Sequence, residues 1–465
     1  MSTHRQARSS PPAALVAVSA LSILGGLLIH TAAVHLAPTP QLQVLFLKTE
    51  QQLAKDLKMS NDWPEFLRGV HASHDPKARS AIKTLLVLLV FFRNMLASQL
   101  GKGLLWLLTV ASMPLMLHLT LEAIKAGRHR AIGAVTLIVV TSIGQVFCLG
   151  GATSIISVPA HAYARYVQIS QALKALDETK KTDTASAVTM DDVLHPRPSA
   201  SFLQTHFSAL LSGFVVLTIA LSAHVPPVTH TQAWIASNVA FQFFPVFFLP
   251  LLIPGVAAVA AKAGSKASSA PASKHSARIY LLVSLLSIPL WWFGAYLCAA
   301  PLAKNIRTTR SVIKGVGGLK GAYFFVRKTP LLAIAVAFPL THGEWLLIWD
   351  LVGILIATIS IIFIDRAADE WADSVFSGRV DGYQSLFGKR NLIPDVSFHQ
   401  IFRRQQNIIF AEAHLADDCH CWVLRQVATG LPPALLFGPG FAASRYFQRR
   451  EEARSRIGAI KSGSK

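Results

Sequence analysis

The sequence predicts an all-α fold, a polytopic helical membrane protein with seven to eight transmembrane helices. Three observations carry this reading. Only 15% of the 465 residues are charged while 52% are hydrophobic, whereas a soluble chain of ordinary composition is about 25% charged. The apolar residues fall in uncharged runs long enough to cross a hydrocarbon core of roughly 30 Å at ~1.5 Å per helical residue. The net charge of +20 is placed unevenly: no carboxylate occurs between Asp192 and Glu344, although Lys and Arg recur throughout that stretch. Juxtamembrane bases without acids suit anionic headgroups on a cytoplasmic face. Together these features exclude an ordinary soluble enzyme and a disordered chain. The expected partner of the basic charge is a bilayer with anionic headgroups, with no nucleic acid.

In chain order, six runs meet the length requirement: 13–36, 103–121, 132–158, 202–223, 234–259 and 279–301. The first follows Arg5 and Arg8 and is too long for a signal-peptide core of ~7–15 residues, so it reads as a retained anchor. A seventh run, 329–364, would extend ~54 Å as one helix. It is either a single tilted helix or two elements broken near 339–343, which leaves the count at seven or eight.

Segment 82–92 is apolar but is followed by Arg93 and Lys102, and it reads as an interfacial lead-in helix. Segment 165–200 reads as a flexible connector, 263–276 as a low-complexity Ala/Ser/Lys linker, and 426–444, with Pro432, Pro433 and Pro439, as a surface-lying or re-entrant piece. The chain therefore divides into a helical transmembrane region, 1–365, and a basic amphipathic C-terminal tail, 366–465.

Orientation signals conflict. The uncharged connector 226–232 belongs in the lumen, which places the basic loop 262–278 in the cytoplasm and the still more basic loop 304–328 in the lumen, against the positive-inside rule. Four cysteines are too few for a disulfide framework. The expected location is the endoplasmic reticulum or another endomembrane.

An ionisable group inside a span costs at least ~2.5–3.5 kcal/mol on insertion scales, so it faces a cavity or a partner. The segment from Thr341 to Asp350 holds the informative positions. On one helix Glu344 and Asp365 would lie ~31 Å apart, at opposite interfaces, with Asp350 ~9 Å deeper than Glu344. Asp350 is the candidate proton donor, because a carboxyl removed from water holds its proton more readily. Its bland alternative is a polar contact with a neighbouring helix. Glu344 is the second candidate, weighed against an interfacial carboxylate in a belt formed by Trp345 and Trp349, and His342 could tune it.

Asp365, Asp369 and Asp373 recur every fourth residue and share one helical face. They read either as a solvated face or as ligands for Mg²⁺, and they resemble the second aspartate-rich motif of membrane aromatic prenyltransferases, whose companion motif this chain lacks. Asp417, Asp418, Cys419, His420 and Cys421 have ligand chemistry without the spacing of a closed zinc site. No nucleotide motif is present. No cofactor and no bound metal are therefore expected. His30, His35, His118, His161, His206 and His224 lie in or at the ends of spans and read mainly as structural. Pro245, Pro250 and Pro254 among five phenylalanines of 241–248 make that span a kinked, aromatic candidate wall for a cavity.

Several spans, lone buried carboxylates and the lack of a nucleotide motif resemble the fungal integral-membrane terpene cyclases of meroterpenoid pathways. The resemblance is architectural and runs from about Ala13 to Asp365. It implies an isomerase that protonates an olefin or epoxide of a lipophilic, prenylated small molecule, with Asp350 or Glu344 as the acid. The alternatives are a proton-coupled or cation transporter or channel, in which Asp350 is the ion site, and a non-catalytic membrane scaffold docked by its basic tail.

Overall fold

The computed structural model describes residues 13–36, positions 77, 85, 88, 89, 92, 93 and 95–97, and the segments 98–123, 136–182, 215–223, 231–243, 269–315, 341–376 and 434–463. Among the described residues the regular structure is helical throughout. We label its elements α1 (Ala13–Leu36), α2 (Gln99–Ala123), α3 (Thr136–Phe147), α4 (Leu149–Ala152), α5 (Val158–Thr182), α6 (Thr231–Gln242), α7 (Ser269–Gly315), α8 (His342–Phe376) and α9 (Pro439–Gly463). A π-helical turn, Thr153–Ser157, joins α4 to α5, and residues 215–223 form a further helical segment.

Four of these helices contain stretches long and apolar enough to cross a membrane: Ala13–Thr31, Gln99–Glu122, Lys274–Lys304 and Gly343–Ala372. They match the first, second and sixth predicted runs and the latter part of the seventh. The remaining predicted spans are only partly described: 215–223 and α6 belong to two of them, and the Pro/Phe-rich stretch 244–259 lies outside the described residues.

The long run 329–364 is resolved in one respect, since α8 starts at His342, beside the expected break. The predicted span 132–158 is not one uninterrupted helix. It breaks at Cys148, whose φ of 127° lies where L-residues with a side chain are strained.

The core is built on α2 and α8. Trp106, Val110, Leu115 and Leu117 of α2 and Ile354, Ala357, Ile361 and Ile364 of α8 are buried. In contrast, α1 and α7 turn large apolar side chains outward, among them Leu21, Leu28, Leu282, Trp292 and Tyr296. For a helix in lipid such exposure carries no hydrophobic cost, and cohesion must come from close packing and small residues. The crossings show this. A Cβ on Gly103 would meet Cys298 Sγ at 2.5 Å and the Gly294 carbonyl at 2.8 Å, so α2 and α7 touch through glycine. α9 approaches α2 in the same way: a Cβ on Gly440 would lie 2.4 Å from the Val110 carbonyl oxygen.

Three expectations need correction. Residues 165–182 continue α5 instead of opening a flexible connector, because Arg165, Gln168, Ile169, Ala172 and Leu173 bury one face of it. Residues 269–276 are already helical, extending α7 through much of the supposed Ala/Ser/Lys linker. The basic stretch after Pro301 begins as helix too, since α7 runs for 47 residues to Gly315. That length, ~70 Å, exceeds a bilayer of ~45 Å. Lys304, Arg307, Arg310 and Lys314 are all exposed and share one side of the helix by their spacing. A basic helical stripe leaving a span sits naturally along a headgroup surface.

The tightest approach sets up the site. A Cβ on Gly150 would lie 2.2 Å from the Asp350 carbonyl oxygen and 2.6 Å from the Ile354 nitrogen, and one on Gly353 would lie 2.6 Å from the Gly150 carbonyl carbon. The broken helix and α8 therefore meet backbone to backbone. Gly150→Ala is expected to lower stability by at least about 1–3 kcal/mol, since backbone atoms cannot yield to a methyl. Denaturant titration of the purified protein in detergent measures this.

Candidate functional site

Asp350 is buried at 8% exposure, on the face of α8 that meets the helix break. Its Oδ1 accepts a hydrogen bond from the Gly150 backbone N–H at 2.5 Å and from the Cys148 thiol at 3.0 Å. The carboxylate thus caps the exposed N-terminus of α4, where amide hydrogens lack helical acceptors. Both of these bonds end on the same oxygen. Around them, Ser154 Oγ donates to the Gly353 carbonyl at 3.1 Å and Ser22 Oγ donates to the Ser154 carbonyl at 3.0 Å, so α1, the π-helical turn and α8 are fastened together. In the turn that leads into Asp350, Trp345 and Trp349 stack with centroids 6.4 Å apart.

Glu344 is placed differently. Its Oε2 accepts the Thr341 backbone N–H at 2.7 Å, the Thr341 hydroxyl accepts the Glu344 N–H at 3.3 Å, and Ser98 Oγ donates to Oε1 at 2.6 Å. Thr341 and Glu344 form a reciprocal capping box at the start of α8, held to the residue that precedes α2. Both oxygens are engaged. His342 is the first residue of α8, and its side chain lies outside the described residues. The structure therefore brings Asp350 to the helix break and leaves Glu344 at the helix start, about 9 Å away along α8. Glutamine also completes a capping box, so Glu344→Gln is expected to leave function at the wild-type level. Thr341→Ala should lower stability by about 0.5–2 kcal/mol. Paired unfolding and activity measurements check both.

The largest polar constellation is at the other end of α8. Asp365 and Asp369 are 0% and 3% exposed, so they form neither a solvated face nor an open Mg²⁺ site. Asp365 Oδ1 meets His161 Nε2 at 3.0 Å and Arg165 Nε at 3.6 Å, while Oδ2 meets His118 Nε2 at 3.2 Å and pairs with Arg450 Nη1. Asp369 pairs with Arg165 Nη2 and takes Arg450 Nη2 at 3.0 Å. Arg165 also donates to Gln168 at 2.7 Å. The reason for the correction is this pair of arginines, brought in by α5 and α9. The side chain of Asp373, the third residue of the series, lies outside the described residues.

Burial alone disfavours the charge of Arg450, but Asp365 and Asp369 outweigh it and hold the guanidinium well above its ordinary pKa. Two carboxylates balance two guanidiniums, and the imidazoles complete the cluster. His118 stacks on Phe447 at 3.9 Å and its Nδ1 faces the Tyr280 hydroxyl at 3.2 Å, so α7 also joins it.

Sequence reasoning missed the joint role of His161, Arg165 and Arg450. A signal was present: His161 and Arg165 stand four apart after one apolar run, as Asp365 and Asp369 do after another. Such spacing puts complementary charges on single faces at the ends of two spans. No family model, curated protein or solved structure matches this chain.

Proposed function

We propose that this chain is a multi-pass membrane protein of seven to eight spans in the endoplasmic reticulum or another endomembrane, and that Asp350 is its working proton donor. The proposed reaction is that of an intramembrane, terpene cyclase-like isomerase acting on a prenylated, lipophilic small molecule. The observation that carries the reading is the placement of Asp350: a carboxyl 8% exposed within an apolar helix, held by donors at the helix break, the Cys148 thiol and the Gly150 N–H among them. That carboxyl would carry and deliver the proton. Glu344 is committed at both oxygens to the cap of α8 and to Ser98.

The carboxyl would give its proton to a terminal olefin carbon or open an epoxide through its oxygen. The resulting cation closes on an internal double bond and then loses a proton to a base, so the product of the olefin route is an isomer of the substrate. The stacked Trp345 and Trp349, five residues before and immediately before Asp350 on α8, supply π faces of the kind that stabilise cations.

A proton-coupled or cation transporter is the second reading, favoured by the break at Cys148. Discontinuous helices recur at the binding sites of ion-coupled carriers, where half-helix N-termini face anionic groups. One pair of assays separates the two. Microsomes containing the protein, given prenylated phenols and their epoxides, should yield cyclised product that Asp350→Asn microsomes do not. In sealed proteoliposomes without such substrate, the enzyme should conduct no proton or cation flux. Flux that requires Asp350, without product, would instead establish the transporter.

A further inference from the structure

We propose that His118, His161 and Asp365 form a binding site for a first-row divalent metal ion, with Zn²⁺ the best fit, independent of the Asp350 site. No ligand spacing in the sequence links these three residues, which are distant in the chain. In the fold, one ligand atom from each lies within 4.8 Å of the others. The two imidazole nitrogens stand 3.2 Å and 3.0 Å from the two oxygens of one carboxylate. A tetrahedral zinc centre with bonds of ~2.0–2.1 Å has ligand-to-ligand edges of roughly 3.4 Å. The cluster therefore closes on an ion with small side-chain shifts.

A second observation points to a ligand here. His118 Nε2 is buried, at 2% exposure of the residue, and stands 3.2 Å from Asp365 Oδ2 in an alignment poor for a hydrogen bond. Its other nitrogen faces the Tyr280 hydroxyl at 3.2 Å. When Nδ1 donates to that hydroxyl, Nε2 presents a lone pair toward a carboxylate, which is repulsive unless a cation stands between them. Metal-bound histidines commonly use their second nitrogen in this way.

Charge decides which ion fits. Arg165 and Arg450 raise the cost of any added cation, but both are shared with Asp369. Glu122, buried at 2%, adds a third carboxylate near enough to act on both His118 and Arg450. Under those conditions only an ion with strong bonds to imidazole competes. Mg²⁺ and Ca²⁺, which take oxygen ligands, are disfavoured, and Zn²⁺ with its nitrogen preference is selected. Three protein ligands leave a fourth position open, as in reactive rather than structural zinc centres.

The test uses the full chain, purified without a polyhistidine tag, equilibrated with Zn²⁺, gel-filtered and assayed for metal by mass spectrometry. About one zinc per chain is expected, retained in Asp350→Asn and lost in both His118→Gln and His161→Gln. Tyr280→Phe should weaken binding roughly 10–100-fold. Should the histidine variants fail to fold, Co²⁺ substitution of the wild-type protein decides: visible d–d bands without a thiolate charge-transfer band support the site. A wild-type protein that retains neither Zn²⁺ nor Co²⁺ overturns the proposal. So does a sulfur charge-transfer band, or zinc held undiminished by both histidine variants, since either puts the ion on other ligands.

Discussion

Arg450→Met is expected to destabilise the folded protein by about 3–5 kcal/mol, the usual cost of removing one partner from a buried ion pair. Methionine keeps much of the arginine volume, so the loss reports charge more than cavity. In the wild type, Arg450 is 1% exposed and reaches both Asp365 and Asp369. Its removal leaves two buried carboxylates with Arg165 as the one remaining guanidinium of the cluster. The effect should be non-additive. Combining Arg450→Met with Asp369→Asn removes one charge of each sign, and the double variant should be more stable than the sum of the two single losses implies. Denaturant titrations of the four proteins in detergent give that coupling. Because Arg450 lies on α9, the single variant should also loosen the C-terminal helix from α2 and α7, seen as faster proteolysis between α8 and α9.

The second large effect is at Asp350. Asp350→Asn is expected to lower turnover by about 10²–10⁴-fold, the usual contribution of a positioned general acid. Stability should change little, because asparagine is itself a good cap for the amide hydrogens at the start of α4. That separation is the informative part. A structural role alone predicts that stability and activity fall together, whereas a proton donor loses activity while the fold persists.

The sequence made the membrane class legible through charge content and run length, and four of the predicted runs reappear as span-length apolar helices. Elements judged by local composition fared worse. Residues 165–182 looked like a linker because Lys, Thr, Asp and Ser are frequent from 165 to 200, yet the first part is helix, held by a buried face containing Arg165 and Gln168. The break at Cys148 left only a faint trace, Gly150 and Gly151, because its cause is tertiary: α8 comes close enough to need glycine and brings the carboxylate that caps the new helix end.

Asp350 was legible as the isolated intramembrane carboxylate. That Glu344 belongs to a capping box was also written in the sequence, as Thr-His-Gly-Glu before an apolar run. The Asp365 cluster was half legible. Its acids were seen as one face, but what neutralises them arrives from α2, α5 and α9, and no single segment shows that meeting.

Whether Asp350 donates a proton to a lipophilic substrate is decided in nanodiscs, where no closed compartment exists and no gradient can form. Purified wild-type protein given a prenylated phenol epoxide should convert it to a cyclised product of unchanged mass, and Asp350→Asn of equal stability should not. Equal conversion by Asp350→Asn, or no conversion by the wild type across prenylated phenols and their epoxides, would rule out Asp350 as the proton donor.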